Sequence, residues 1–154
     1  PTSYIPNHSG GSVTRGAETT LLSAIPDKNT SYTFFVDFED IIATTGNFRI
    51  ENTSSAMAYG IYYYSNDFDV YNGSSFILNR SSNPANSKVA IVHTPTSVKI
   101  FVNGVNVTKA GSSPSAIDTD RLRVTSGTNT LYDLNKVLYF PTALSDAECI
   151  TLTT

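Results

Sequence analysis

The chain has no tryptophan, one cysteine, one methionine and two histidines, and only 15% of its 154 residues are charged, against roughly a quarter in an ordinary domain. Each shortage excludes something. With Cys149 alone, there is no partner for an intrachain disulfide and no set of thiolates for a zinc site. The formal net charge of −3 offers no positive field to a phosphate backbone, so nucleic acid is not an expected partner. No apolar run approaches the roughly 18 residues that span a bilayer, and membrane insertion is not expected. The start lacks the basic and apolar regions of a signal peptide, and it opens on Pro1 rather than Met, as a fragment or processed product would.

Ser, Thr and Asn occupy the space that charges leave, a composition suited to many short strands joined by polar turns. The length fits one domain with a genuine core. Residues 1–20, PTSYIPNHSGGSVTRGAETT, hold two prolines and three glycines without sustained periodicity, and read as a linker or an extended edge segment. The domain proper is expected over 21–154. Within it, short runs rich in β-branched and aromatic residues alternate with turn clusters: 31–39, 47–52, 58–65, 74–80, 88–94, 97–104, 120–126 and 134–140. Strands of this length and spacing predict an all-β sandwich. Glycosylation sequons stand at Asn7, Asn29, Asn52, Asn72, Asn79 and Asn106. They would matter in a secreted eukaryotic protein, but such matches arise readily by chance in this composition.

Two local signals are sharp. In KIFVNGVNVTK, Asn103-Gly104 supplies the two positive-φ residues of a type I′ turn. Pairing across it sets Val102 against Val105 and Ile100 against Val107 on a face that reads as core, with Phe101 and Asn106 facing the other way. In FPTALSDAECITLTT, Ser145 and Glu148 form a capping box, with Leu144 and Cys149 at the staple positions. One short helical turn is therefore expected after the last strand, with the Cys149 thiol tucked against the sandwich.

With these elements placed, the chain resembles the concanavalin A-like, laminin G-like jelly-roll superfamily. The resemblance lies in the strand-turn-strand unit KVAIVHTPTSVKIFVNGVNV, in the short strand DRLRVTSG, and in the closing NKVLYFPTALSDAE, where an aromatic strand leads into Ala-Leu-Ser-Asp-Ala-Glu. These segments cover about the last seventy residues. The resemblance implies a two-sheet antiparallel jelly-roll sandwich with one short C-terminal helical turn. It leaves function open, because lectins, adhesion domains and glycoside hydrolases share that fold. The opening PTSYIPN and SVTRGAET are similar to a joining segment common in bacteriophage tail and fibre proteins, with Gly16 where Ala is more usual. That similarity implies a virion or extracellular setting, in which the sequons would be accidental.

Glycoside hydrolysis needs two carboxyl groups facing each other across the sugar. The superfamily's Glu-x-Asp-x-x-Glu strand is missing here. Asp37 and Glu39 come nearest, on one strand face and roughly 6–7 Å apart along it. They read as a solvated face over buried Phe34, Val36 and Phe38. No G-x-S-x-G elbow or glycine-rich phosphate loop is present. The expectation is that the chain is not an enzyme and has no cofactor. A calcium ion held by Asp67 and Asp69 is the one metal weighed, since SNDFDVYNG gathers oxygen donors in a short space.

The most unusual stretch is YGIYYYSNDFDVYNG (59–73), with five tyrosines and two aspartates in fifteen positions. As a strand, AYGIYYYS points Tyr59, Ile61 and Tyr63 towards the core, and Gly60, Tyr62 and Tyr64 onto an outer, concave sheet. A pyranose packs its C–H face on an aromatic plane while polar residues meet its hydroxyls, and a phenol does part of both. Half-buried tyrosines also cover sheets without binding anything. The candidate ligand contacts are Tyr62, Tyr64, Asp67, Asp69 and Asn72, with Arg49 and Arg80 in reach of an anionic sugar. The expected partner is a cell-surface polysaccharide or other glycan. One shallow site would be weak, so a homo-oligomer, with a trimer favoured, is expected to add avidity. The rival expectation is a purely structural virion module, and the third is a glycoside hydrolase.

Overall fold

The computed structural model describes residues 2–4, 28–43, 45–52, 54–64, 68–73, 75–80, 86–126 and 130–154. Among them, strands β1 (Thr2–Tyr4), β2 (Tyr32–Ala43), β3 (Thr45–Glu51), β4 (Met57–Tyr64), β5 (Phe68–Asn72), β6 (Ser75–Arg80), β7 (Ser87–Thr94), β8 (Ser97–Val102), β9 (Val105–Asn106), β10 (Arg121–Ser126) and β11 (Thr130–Phe140) precede one helix, α1 (Asp146–Thr153). They form a six-stranded sheet in the order β1-β11-β2-β7-β8-β9 and a five-stranded sheet in the order β10-β3-β4-β5-β6. All pairings are antiparallel. The fold is the expected β-sandwich. β1 is an edge strand on β11, within the segment read as linker or edge.

Period-two alternation builds the core. Phe34, Val36 and Phe38 of β2 are fully buried, as are Val89 and Ile91 of β7. They meet Phe48, Ile50, Tyr59, Ile61, Phe68 and Val70 from the other sheet in one cluster. Each such side chain contributes about 1.5–3 kcal/mol on leaving water.

One polar chain crosses this core. The Ser115 backbone N–H donates to the Tyr59 hydroxyl (3.0 Å), which lies 2.7 Å from His93 Nδ1, and His93 Nε2 lies 2.9 Å from the Lys28 carbonyl. A carbonyl only accepts, so Nε2 carries the ring proton and Nδ1 accepts from the phenol. Tyr32 stacks on the imidazole at 4.5 Å. Burial holds His93 below the usual histidine range, with the Lys28 carbonyl acting in the other direction. The same burial pushes the Tyr59 hydroxyl far above its normal titration range.

Four departures from the sequence reading have physical causes. β5 occupies residues read as a loop, because Phe68 and Val70 alternate inward between Asp69 and Tyr71 and pair with both neighbours. Asn103 (φ 47°) and Gly104 (φ 78°) make the expected turn, and Val102 faces Val105. Yet Val105 is 57% exposed, since two-residue β9 is an edge strand. Phe101 faces the opposite way and is nevertheless fully buried, because α1 covers it: Cys149 packs with Ala90, Val92 and Phe101, and Leu144 leans on the group. Finally, the helix runs eight residues instead of one turn. Its capping box forms as expected, with the Glu148 carboxylate accepting from the Ser145 backbone N–H at 2.8 Å. Those Ser145 contacts hold the Glu148 carboxyl below its ordinary value.

Candidate functional site

The helix covers one of the two outer faces. It lies on the outer side of β7, β8 and β9, tied by the Gly104 N–H donating to Thr153 Oγ1 (3.0 Å) and by a Lys99–Asp146 ion pair of 2.6 Å. Among the described residues, no helix covers the outer side of the five-stranded sheet.

On that side, register places Arg49 of β3 opposite Gly60 of β4, and Gly60 opposite Tyr71 of β5. The next row is Asn47, Tyr62 and Asp69. Gly60 leaves a vacancy in the first row, and the Tyr62 ring fills it: a Cβ added at Gly60 would sit 2.6 Å from Tyr62 Cε2 and against Met57 Sδ. Lying over the glycine, Tyr62 meets Arg49 on one side, its guanidinium 5.5 Å from the ring centroid. On the other side it meets Tyr71 edge-on at 4.9 Å, and Tyr71 packs on Phe76 at 4.1 Å. Arg49, Tyr62 and Tyr71 are half-buried, while Phe76 is 42% exposed. The Tyr62 hydroxyl donates to Met57 Sδ at 3.4 Å, a weak acceptor. The result is a cation–aromatic row across four strands, with rings laid against the sheet.

Of the residues chosen from sequence, Tyr62 and Arg49 stand together in this row. Asp69 is in the adjacent row opposite Tyr62, but only 4% exposed, so it is not placed to meet a ligand arriving from solvent. The Asn72 amide donates to the Ser113 carbonyl, which anchors the 107–120 connection, and its Oδ1 is buried with no partner among the described residues. Tyr64 lies at the end of β4 opposite Thr45, and Arg80 is across from Phe68 on edge strand β6. Asp67 lies outside the described residues, so the Asp67–Asp69 calcium pair does too. Among described residues, no group of three or more His, Cys, Asp or Glu is placed to hold a metal. The sequence reading missed Tyr71 and Phe76. The signal for Tyr71 was the β5 alternation, which a segment dense in Asp and Asn hides, and Phe76 follows from its pairing with Tyr71 across β5 and β6.

The chain's β-sandwich recurs in solved structures. Over 81% of its length it superposes on Trypanosoma rangeli sialidase in complex with sialic acid, with a TM-score of 0.58 and 14% identity. It also superposes over 81% on the binding domain of botulinum neurotoxin DC in complex with SialylT, with a TM-score of 0.59 and 15% identity. It spans 23% of the sialidase chain and 35% of the toxin chain. No protein-family model and no curated protein matches it.

The paired acids weighed for hydrolysis are on the other sheet. Asp37 is opposite Lys88 on one side and Lys136 on the other. Burial raises its carboxyl pKa; the two lysines pull it down and Glu39 adds to the rise. Glu39 is exposed. Lysines on both flanks suit a cross-strand charge ladder.

Proposed function

We propose that the chain is a non-catalytic glycan-binding domain that uses the outer face of its five-stranded sheet for attachment to a host surface. The observation that carries this is the Arg49–Tyr62–Tyr71–Phe76 row on the face that α1 leaves open. A sugar ring can lay its C–H face on such rings at little entropic cost, because packing already holds them in place. Structural neighbours in complex with sialic acid and with SialylT add support at the level of fold.

The setting we favour is a phage tail or fibre, on the strength of the PTSYIPN and SVTRGAET segments. A virion or extracellular location and a trimer follow from that reading, with repetition supplying avidity to a shallow site. The site as drawn needs no cofactor. Calcium at Asp67 and Asp69 is tested by adding EDTA.

An array of bacterial surface polysaccharides and oligosaccharides, probed with the native chain and with Tyr62→Ala and Tyr71→Ala, tests the reading. Saturable binding that both variants lose supports it. An array without hits, beside a stable self-assembled trimer, would replace it with the structural virion module. Release of reducing ends that Glu39→Gln abolishes would replace it with a hydrolase.

A further inference from the structure

Arg49 is oddly placed for a residue with only a structural role. Its guanidinium rests over the Tyr62 ring, and its Nε is buried with no hydrogen-bond partner among the described residues. The ion pairs seen among those residues, Lys28–Asp118 and Lys99–Asp146, do not involve it. A buried donor without an acceptor is unfavourable. Backbone register sets Arg123 of β10 directly across from Arg49.

Arg49 as a whole is half-buried, so part of its side chain stays within reach of an anion arriving from solvent. A planar carboxylate suits a guanidinium fork better than a spherical or tetrahedral group, because two parallel N–H···O bonds form in one plane. The acids of the two adjacent rows, Asp69 and Glu51, are both buried and do not present themselves to a ligand arriving from solvent. Beside Arg49 the rings of Tyr62 and Tyr71 continue across the sheet, offering a platform to the pyranose that bears the carboxylate.

We infer that the site selects acidic glycans, with Arg49 reading a sugar carboxylate at the β10–β3 end of the row and Tyr62 and Tyr71 carrying the ring. This rests on the glycan-binding reading and names its substrate class.

The test uses uronate-, sialate- and pyruvate-ketal-bearing oligosaccharides, each paired with its carboxyl-reduced counterpart, together with sulfated and neutral oligomers. Calorimetry is run on the native chain, Arg49→Gln and Arg49→Lys. The expected result is a carboxylated ligand whose reduced form binds on the order of ten-fold or more weakly. Arg49→Gln should lower affinity for the acidic form by a similar factor and for the reduced form by clearly less, a non-additive cycle. Arg49→Lys keeps the charge without the fork, and should fall between; it also serves if Arg49→Gln folds poorly. Equal binding of acidic and reduced forms, or preference for neutral or sulfated oligomers, overturns the carboxylate assignment while leaving glycan binding in place. No binding to any oligomer, acidic or neutral, removes both.

Discussion

Tyr59→Phe removes one oxygen and leaves the ring in place. In the native fold that oxygen accepts from the Ser115 N–H at 3.0 Å and donates to His93 Nδ1 at 2.7 Å. Both partners are buried: Ser115 is 6% exposed and His93 fully enclosed. Each group left unsatisfied costs about 1–3 kcal/mol, partly offset because Phe has no hydroxyl to desolvate, so the expected net loss is about 2–4 kcal/mol. With a urea slope of roughly 1–3 kcal/mol per molar, the unfolding midpoint should drop by about 1–2 M. The paired control is Tyr139→Phe. Tyr139 is also buried, at 4% exposure against 0% for Tyr59, and burial raises its hydroxyl pKa to about 12, but that hydroxyl has no partner among the described residues. Its removal should cost nothing, or stabilise. Equal losses in the two variants, followed by urea unfolding at pH 7.5, would refute the claim that the Ser115–Tyr59–His93 chain, rather than ring packing alone, holds the two sheets and the 107–120 connection together.

The same histidine sets a pH dependence. Because His93 titrates below its unfolded value near 6.5, the unfolded chain binds more protons below that pH, and stability falls as pH drops from about 6.5 through the folded value. Above 6.5 the contribution is fully present, so urea midpoints at pH 7.5 and 5.5 should differ, and the gap should shrink in His93→Gln. Cys149 is fully buried, with its pKa raised to about 11 by burial and then by Asp146 and Glu148; a thiol reagent at pH 8 should label it only at the rate of unfolding. Gly60→Ala puts a methyl group where the Tyr62 ring lies. Met57 Sδ lies in a flexible side chain, but the Tyr62 ring is packed between Arg49 and Tyr71 and has to shift, so urea stability should fall by about 1–3 kcal/mol and glycan binding on the array should fall sharply.

Much of the fold could be read from local chemistry. Asn103-Gly104 dictates its turn whatever surrounds it, and Ser145 with Glu148 caps its own helix. The alternation of Phe34, Val36 and Phe38 is visible in nine letters. What failed depended on distant partners. Nothing in KIFVNGVNV says that a helix fifty residues later will cover Phe101 or that β9 will stop after two residues and leave Val105 wet. The site was half legible for the same reason. Alternation put Tyr62 on the outer face, and its charge made Arg49 a candidate for an anionic sugar. The place of Tyr71 and Phe76 beside them depends on the β4–β5 register and on an irregularity between Val70 and Tyr71 in the β5–β6 pairing.

Nuclear magnetic resonance can test the central claim on one sample. The ¹⁵N-labelled chain is titrated with the tightest oligosaccharide from the array, and the perturbed amides are assigned. Shifts concentrated on β3, β4 and β5 around Arg49, Gly60 and Tyr71 are the predicted result. Shifts centred on α1 and the Asn103-Gly104 turn, or spread along the Asp37–Glu39 face, would contradict it.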